Sequence, residues 1–109
     1  MSLFGSSDKE STSTSNQISV IADIRAKRGH EDEVRTMFEK LAGPSRKEAG
    51  CLRYNVFEDK HDTGSFFTYE EWESEEALET HLSANKEGLN EVKALLRQEL
   101  SISILKQLA

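Results

Sequence analysis

Two aromatic-rich segments, CLRYNVF (Cys51–Phe57) and FFTYEEW (Phe66–Trp72), flank a polar stretch that ends in glycine, Asp59–Gly64. Runs of β-branched and aromatic residues bounded by turn formers read as strands, and the short polar spacer makes them an antiparallel hairpin whose loop is longer than the tightest type. Alternation assigns the faces: Leu52, Tyr54 and Val56 share one side of the first strand and Arg53, Asn55 and Phe57 the other. On the second, Phe66, Thr68, Glu70 and Trp72 oppose Phe67, Tyr69 and Glu71. Aromatics stand on both parities. A sheet with one solvated face alternates apolar and polar more cleanly, so the second face is expected to be covered, and a further copy of the chain is the expected cover.

The segments around the hairpin complete a repeating order. ISVIADIRA, from Ile18, is a short run rich in Ile, Val and Ala that ends at the turn-like Lys27-Arg28-Gly29, and predicts a strand. Val34, Met37, Phe38 and Leu41 then fall at i, i+3, i+4 and i+7, behind Glu31, Asp32 and Glu33, where acidic groups complement a helix dipole. Gly43-Pro44 is expected to interrupt that helix, with Pro44 opening a short turn that ends at Gly50. After the hairpin, Ser74 is an N-cap signal for a helix from Glu75, and Asn85–Gly88 is expected to break or bend it. Leu89, Val92, Leu95 and Leu96 continue the helical spacing to about Leu100, and Ile102 and Ile104 alternate with serines in a last strand. Strand, helix, strand, strand, helix in two pieces, strand is the split βαβ order of an α+β, ferredoxin-like fold with a four-stranded antiparallel sheet.

Residues 1–16 read as a disordered tail and 17–109 as one domain, because GSSDKESTSTSN (Gly5–Asn16) offers no apolar side chain to offset the entropy of ordering it. The start of the chain has no basic, then apolar, then small-residue pattern of a secretory signal, so a cytoplasmic location is expected. No apolar run approaches the length of a membrane span. A net charge of -6 argues against a nucleic-acid partner, which requires a basic face. Cys51 is the sole cysteine, which excludes an intramolecular disulfide and a Cys-based zinc site. His30, His61 and His81 are far apart with no HxxxH spacing, and no metal site is expected. The six glycines form no GxGxxG or P-loop run, so no nucleotide cofactor is expected either.

GCLRYNVFED (Gly50–Asp59) followed by FFTYEEWESEEALETHL (Phe66–Leu82) resembles the core signature of the antibiotic biosynthesis monooxygenase domains, and ISVIADIRAKRGHEDEV resembles their first strand, glycine turn and helix. The resemblance implies a dimeric α+β barrel protein, and an oxygenase with no metal and no prosthetic group. In such an oxygenase a dihydroxylated aromatic substrate supplies the electrons that activate oxygen. It also implies two departures. Many relatives carry a Pro-His pair near the pocket mouth where this chain has Asn85-Lys86. The asparagine that haem-degrading members of the wider superfamily use in the first strand corresponds to Ala22, which speaks against haem breakdown.

His81 shares the apolar side of its helix with Ala77, Leu78 and Leu82, so it faces the sheet, either as a packed core histidine or as an acid/base in a pocket. Glu70 belongs to an acidic run that as a whole reads as a solvated face, yet its parity places it with Trp72 and Thr68, where it can orient His81. Trp72 and Tyr54 fit either as core anchors or as residues that hold a flat ring, with Phe66 and Asn55 as further substrate-binding candidates. Cys51 reads as a small buried hydrophobe. The expected function is a homodimeric, cofactor-independent monooxygenase in which His81, assisted by Glu70, takes a proton from a quinol that then reacts with oxygen. The alternatives are an isomerase of a small phosphorylated carbonyl compound, with Arg53 or Lys86 on the phosphate, and a non-catalytic dimeric ligand-binding or stress-response module.

Overall fold

The computed structural model describes residues 16–109, so the expected tail falls outside the described residues apart from Asn16. The elements run β1 (Ile18–Arg25), α1 (Glu31–Arg46), β2 (Cys51–Glu58), β3 (Ser65–Trp72), α2 (Glu75–Ala84), α3 (Lys86–Lys93) and β4 (Ser101–Leu105). All strand pairings are antiparallel and the order across the sheet is β2-β3-β1-β4. This is the ferredoxin-like α+β arrangement that the element order predicts.

The helices lie over one face of the sheet. Ile18, Val20, Ala22 and Ile24 are buried on β1, and Phe66, Thr68, Glu70 and Trp72 on β3, so the parity of both strands is as the sequence predicts. β2 departs from it at its start: Cys51 pairs with Trp72 and Arg53 with Glu71, which leaves Leu52 in a bulge and 48% exposed. The extra residue shifts Cys51 onto the helix-covered side, where it packs against the core, and removes Leu52 from the row of Tyr54 and Val56. Behind the sheet are two groups of buried side chains. One holds Ile24, Val34, Phe38, Phe66, Val92 and Leu96, and the other Ile18, Val20, Ala42, Tyr54, Trp72 and Leu78.

α1 does not stop at Gly43-Pro44 but continues to Arg46. Proline within a helix loses one hydrogen bond and crowds the preceding turn, at about 3 kcal/mol. Here it falls in the last turn, where the bond from Arg46 Nε to the carbonyl oxygen of Tyr54 (2.9 Å) ties the helix end to β2 and offsets part of that cost. The chain then turns through Lys47–Gly50, closed by Cys51 N–H donating to Glu48 O (3.1 Å). Gly50 has φ +82°, and a Cβ there would lie 2.6 Å from Cβ of Ala77. Only glycine lets this turn pass directly under α2.

Ser74 caps α2 as its position predicts, accepting from Ala77 N–H (3.2 Å). The interruption between α2 and α3 is confined to Asn85, and Gly88 lies inside α3. α3 ends at Lys93, earlier than the spacing of Leu95 and Leu96 suggests. The carbonyl of Leu95 is taken by Lys27 N–H (2.8 Å) and Arg97 N–H donates to Arg25 O (2.9 Å), so this stretch pairs with the end of β1 instead of continuing the helix.

Candidate functional site

Among the polar groups buried under the helices is His81, on α2 and 3% exposed. Its ring lies against Trp72, with centroids 4.7 Å apart, and near Tyr54, at 5.5 Å. Nδ1 is hydrogen-bonded at 2.5 Å to Oε1 of Glu48, the residue that the continuation of α1 and the Gly50 turn bring beneath α2. The second oxygen of Glu48 accepts from the side-chain amide of Asn85 (3.0 Å). A carboxylate accepts and does not donate, so this pairing places the proton on Nδ1 and leaves Nε2 as the basic nitrogen of the neutral ring. Among the described residues Nε2 has no hydrogen-bond partner, nor is it one of the sealed, unpartnered buried atoms.

Glu70 is buried beside this pair but serves a different group. Its Oε1 accepts from the indole N–H of Trp72 (2.8 Å) and its Oε2 from the hydroxyl of Thr68 (2.7 Å). All three side chains lie on β3 at alternate positions, so the strand itself sets the geometry. The expected hydrogen bond from Glu70 to His81 is therefore replaced by one from Glu48, and Glu70 reaches the histidine only through the tryptophan that packs on it. Burial, with the Glu70 and Glu48 carboxylates close by, raises the Tyr54 phenol above its ordinary value, so Tyr54 keeps its proton and offers a donor. It points towards Ser45, whose buried hydroxyl finds no well-formed hydrogen bond among the described residues. Burial likewise raises the Cys51 thiol, which fits a packing role and not that of a nucleophile.

A cleft of about 370 Å³ opens between α1 and the α2–α3 pair. Met37, Phe38, Leu41, Leu89 and Val92 give it apolar walls, and Lys40 and Glu87, of opposite charge, and Asn85 are among its lining. Because Asn85 also bonds Glu48 and lies next to His81, it joins the cleft to the buried pair. Among the described residues no group of three His, Cys, Asp or Glu side chains is placed to hold a metal ion, and no helix is long and apolar enough to cross a membrane.

The model of one protein family, antibiotic biosynthesis monooxygenase, matches residues 17–98. The chain belongs to that family. The antibiotic biosynthesis monooxygenase frame is supported by solved structures: PA3566 from Pseudomonas aeruginosa is 35% identical, covers 88% of this chain and 98% of its own, and superposes with a TM-score of 0.77. A protein described as antibiotic biosynthesis monooxygenase is 28% identical over 84% of this chain and 99% of its own, with a TM-score of 0.79. The uncharacterized protein sll1783 of Synechocystis is 33% identical over 64 residues, 59% of this chain, and the chain spans only 44% of that protein's length.

Within this antibiotic biosynthesis monooxygenase domain the candidate residues separate into three places. His81, Trp72 and Tyr54 meet under α2, with Glu70 behind Trp72. Phe66 is buried at the other end of β3, in the group of Phe38 and Val34, with the Arg35 guanidinium 5.6 Å from its ring centre. It lies six positions from Trp72, about 20 Å along a strand, so Phe66 is removed from the site. Asn55 pairs with Tyr69 on the helix-free face, one residue out of phase with Tyr54, and so lies across the sheet from His81. Arg53 is on that face too, within 3.7 Å of Glu71, and is not placed to hold a phosphate near His81. Glu48 and Asn85 are the site residues that spacing alone does not reveal.

Proposed function

We propose that this antibiotic biosynthesis monooxygenase domain is a cofactor-independent monooxygenase that oxidises a quinol or similar polyhydroxylated aromatic, with His81 as the general base and Glu48 as its partner. The observation that carries the reading is the hydrogen bond from His81 Nδ1 to Glu48, which leaves Nε2 as the base of an imidazole packed against two aromatic rings. His81 takes a phenolic proton, and Glu48 stabilises the imidazolium that forms. The resulting anion gives an electron to O2 more readily than the neutral quinol does. Recombination of the two radicals forms a carbon–oxygen bond, and loss of water from the hydroperoxide leaves a hydroxyquinone. One oxygen atom stays on carbon, the other leaves as water, and the substrate supplies all four electrons. Trp72 and Tyr54 exclude water from the proton transfer, and the Tyr54 hydroxyl offers a hydrogen bond to a substrate oxygen.

The active form is proposed to be a homodimer, with a cytoplasmic location. Ile21 (39% exposed), Phe57 (53%) and Leu105 (40%) project from the helix-free face, and a second copy with the same face is the natural cover for them. Oxygen uptake with a panel of hydroquinones, under ¹⁸O2, tests the reaction: one labelled atom in the quinone product per O2 consumed is expected. No uptake with any member of the panel would overturn it. Sedimentation at micromolar concentration tests the dimer, which a stable monomer would contradict.

A further inference from the structure

Asn85 is where α2 stops and α3 starts, with φ -108° and ψ 18°. An asparagine at the start of a helix ordinarily accepts a hydrogen bond from a backbone N–H of the first turn. The Asn85 side chain makes no such bond to α3. It turns back instead: its amide nitrogen donates to Glu48 Oε2 (3.0 Å) and to the carbonyl oxygen of His81 (2.8 Å), and stands 3.3 Å from His81 Nδ1. Both partners are acceptors only, which fixes the amide with its nitrogen towards them. The Glu48 carboxylate is thus held at both oxygens, by His81 at Oε1 and by Asn85 at Oε2. The helix forgoes a cap worth about 1 kcal/mol, and the side chain serves the buried pair.

We propose that Asn85 is a positioning residue. By fixing the Glu48 carboxylate it keeps Oε1 on the Nδ1–H of His81, and so holds the imidazole in the single tautomer whose Nε2 is free to take a proton. The catalytic consequence rests on the reading of His81 as the base; the tautomer itself does not. Asn85 is also among the residues that line the cleft, so the positioning residue stands at its edge. The ionisable groups facing the imidazole are Glu48, from the turn after α1, and Tyr54 on β2, with Glu70 behind Trp72 on β3; Arg46 and Cys51 stand next to Tyr54, and Lys86, exposed, follows Asn85 at the start of α3.

The test is ¹⁵N NMR of the histidine rings in the full chain, combined with oxygen-uptake kinetics, for Asn85→Ala and the isosteric Asn85→Asp. In the unmodified protein His81 should show one tautomer, with Nδ1 carrying the proton. Asn85→Ala should bring in the other tautomer and lower kcat about tenfold, with KM within about twofold. Asn85→Asp places a second carboxylate on the pair, which favours the imidazolium. In this variant the acid limb of the pH–rate profile, and the pH at which the His81 ring signals change, should move to higher pH. A role confined to joining two helices would lower the melting temperature but leave tautomer and titration in place. Wild-type ¹⁵N shifts and titration in both variants would overturn the proposal. If the spectra change as expected while the unmodified protein consumes no oxygen, the positioning role stands and the monooxygenase reading falls.

Discussion

The two ends of the helix-covered layer differ in what fills them. Around Phe66, Phe38 and Val34 the buried side chains are apolar, and the nearest ion pair, Arg35 with Glu58, is at the rim with each side chain about 30% exposed. Around Trp72 the layer encloses His81, Glu70 and Thr68, all under 5% exposed, and draws in Glu48 and Asn85. Burying polar groups adds stability only where every partner is in place, so the second end is an expensive way to build a core. The first end holds the fold together, and the second uses that rigidity to keep an imidazole and a carboxylate in one arrangement.

Truncating each end should therefore produce different losses. Phe66→Ala removes a fully buried ring from the apolar end and should cost about 3–5 kcal/mol of stability in chemical denaturation, enough to unfold a marginal domain of this size. A loss below about 1 kcal/mol would mean that this end is not the anchor. At the polar end, Glu48→Gln should leave stability nearly unchanged and lower kcat about tenfold, because the amide neither favours the imidazolium nor dictates one tautomer. Adding it to His81→Ala should cost nothing further, since the two act as a unit. Glu70→Gln should do less, a few-fold in kcat, as its amide oxygen still accepts from Trp72 and its amide nitrogen can donate to Thr68. Equal effects of the Glu48 and Glu70 changes would erase the distinction drawn between the two carboxylates.

The smallest expected effect contrasts the two ion pairs. Hydrogen bonds from Arg35 and from the Gly64 N–H hold the Glu58 carboxyl below its ordinary value. A carboxyl with a folded pKa below its unfolded one stabilises the protein above the unfolded value, near pH 4.5, and that contribution is lost as the pH falls through the folded value. Urea titrations between pH 7 and pH 3 should show a steeper loss of stability for the unmodified protein than for Arg35→Gln. Parallel curves would show that the pair contributes nothing, as many exposed pairs do.

The same division explains what could be read from the sequence. Strand alternation and helical spacing suffice to place Trp72, Tyr54 and His81 on the covered face, because each lies inside a regular element whose period is fixed. Leu52 escapes that logic through a bulge, which shifts parity without a sequence mark. Asn55 and Phe66 fail for another reason. The hairpin was legible, but Asn55 is out of phase with Tyr54, and nothing in a strand pattern tells which end of a shared face lies under which helix. Glu48 was hidden by Pro44, since local propensity ends α1 just where the Arg46–Tyr54 bond extends it. An acidic residue two positions before a glycine of positive φ was the available signal, and it acquires meaning only once Gly50 is known to pass beneath Ala77.

The most direct measurement of the central claim is the rate of oxygen consumption by purified His81→Ala beside the unmodified protein, with the best hydroquinone of the panel, after circular dichroism has shown that the variant is folded. If His81 with Glu48 is the base, turnover should fall on the order of a hundredfold or more. A folded His81→Ala protein that consumes oxygen at the unmodified rate would contradict the account and leave His81 as a packed histidine of the core.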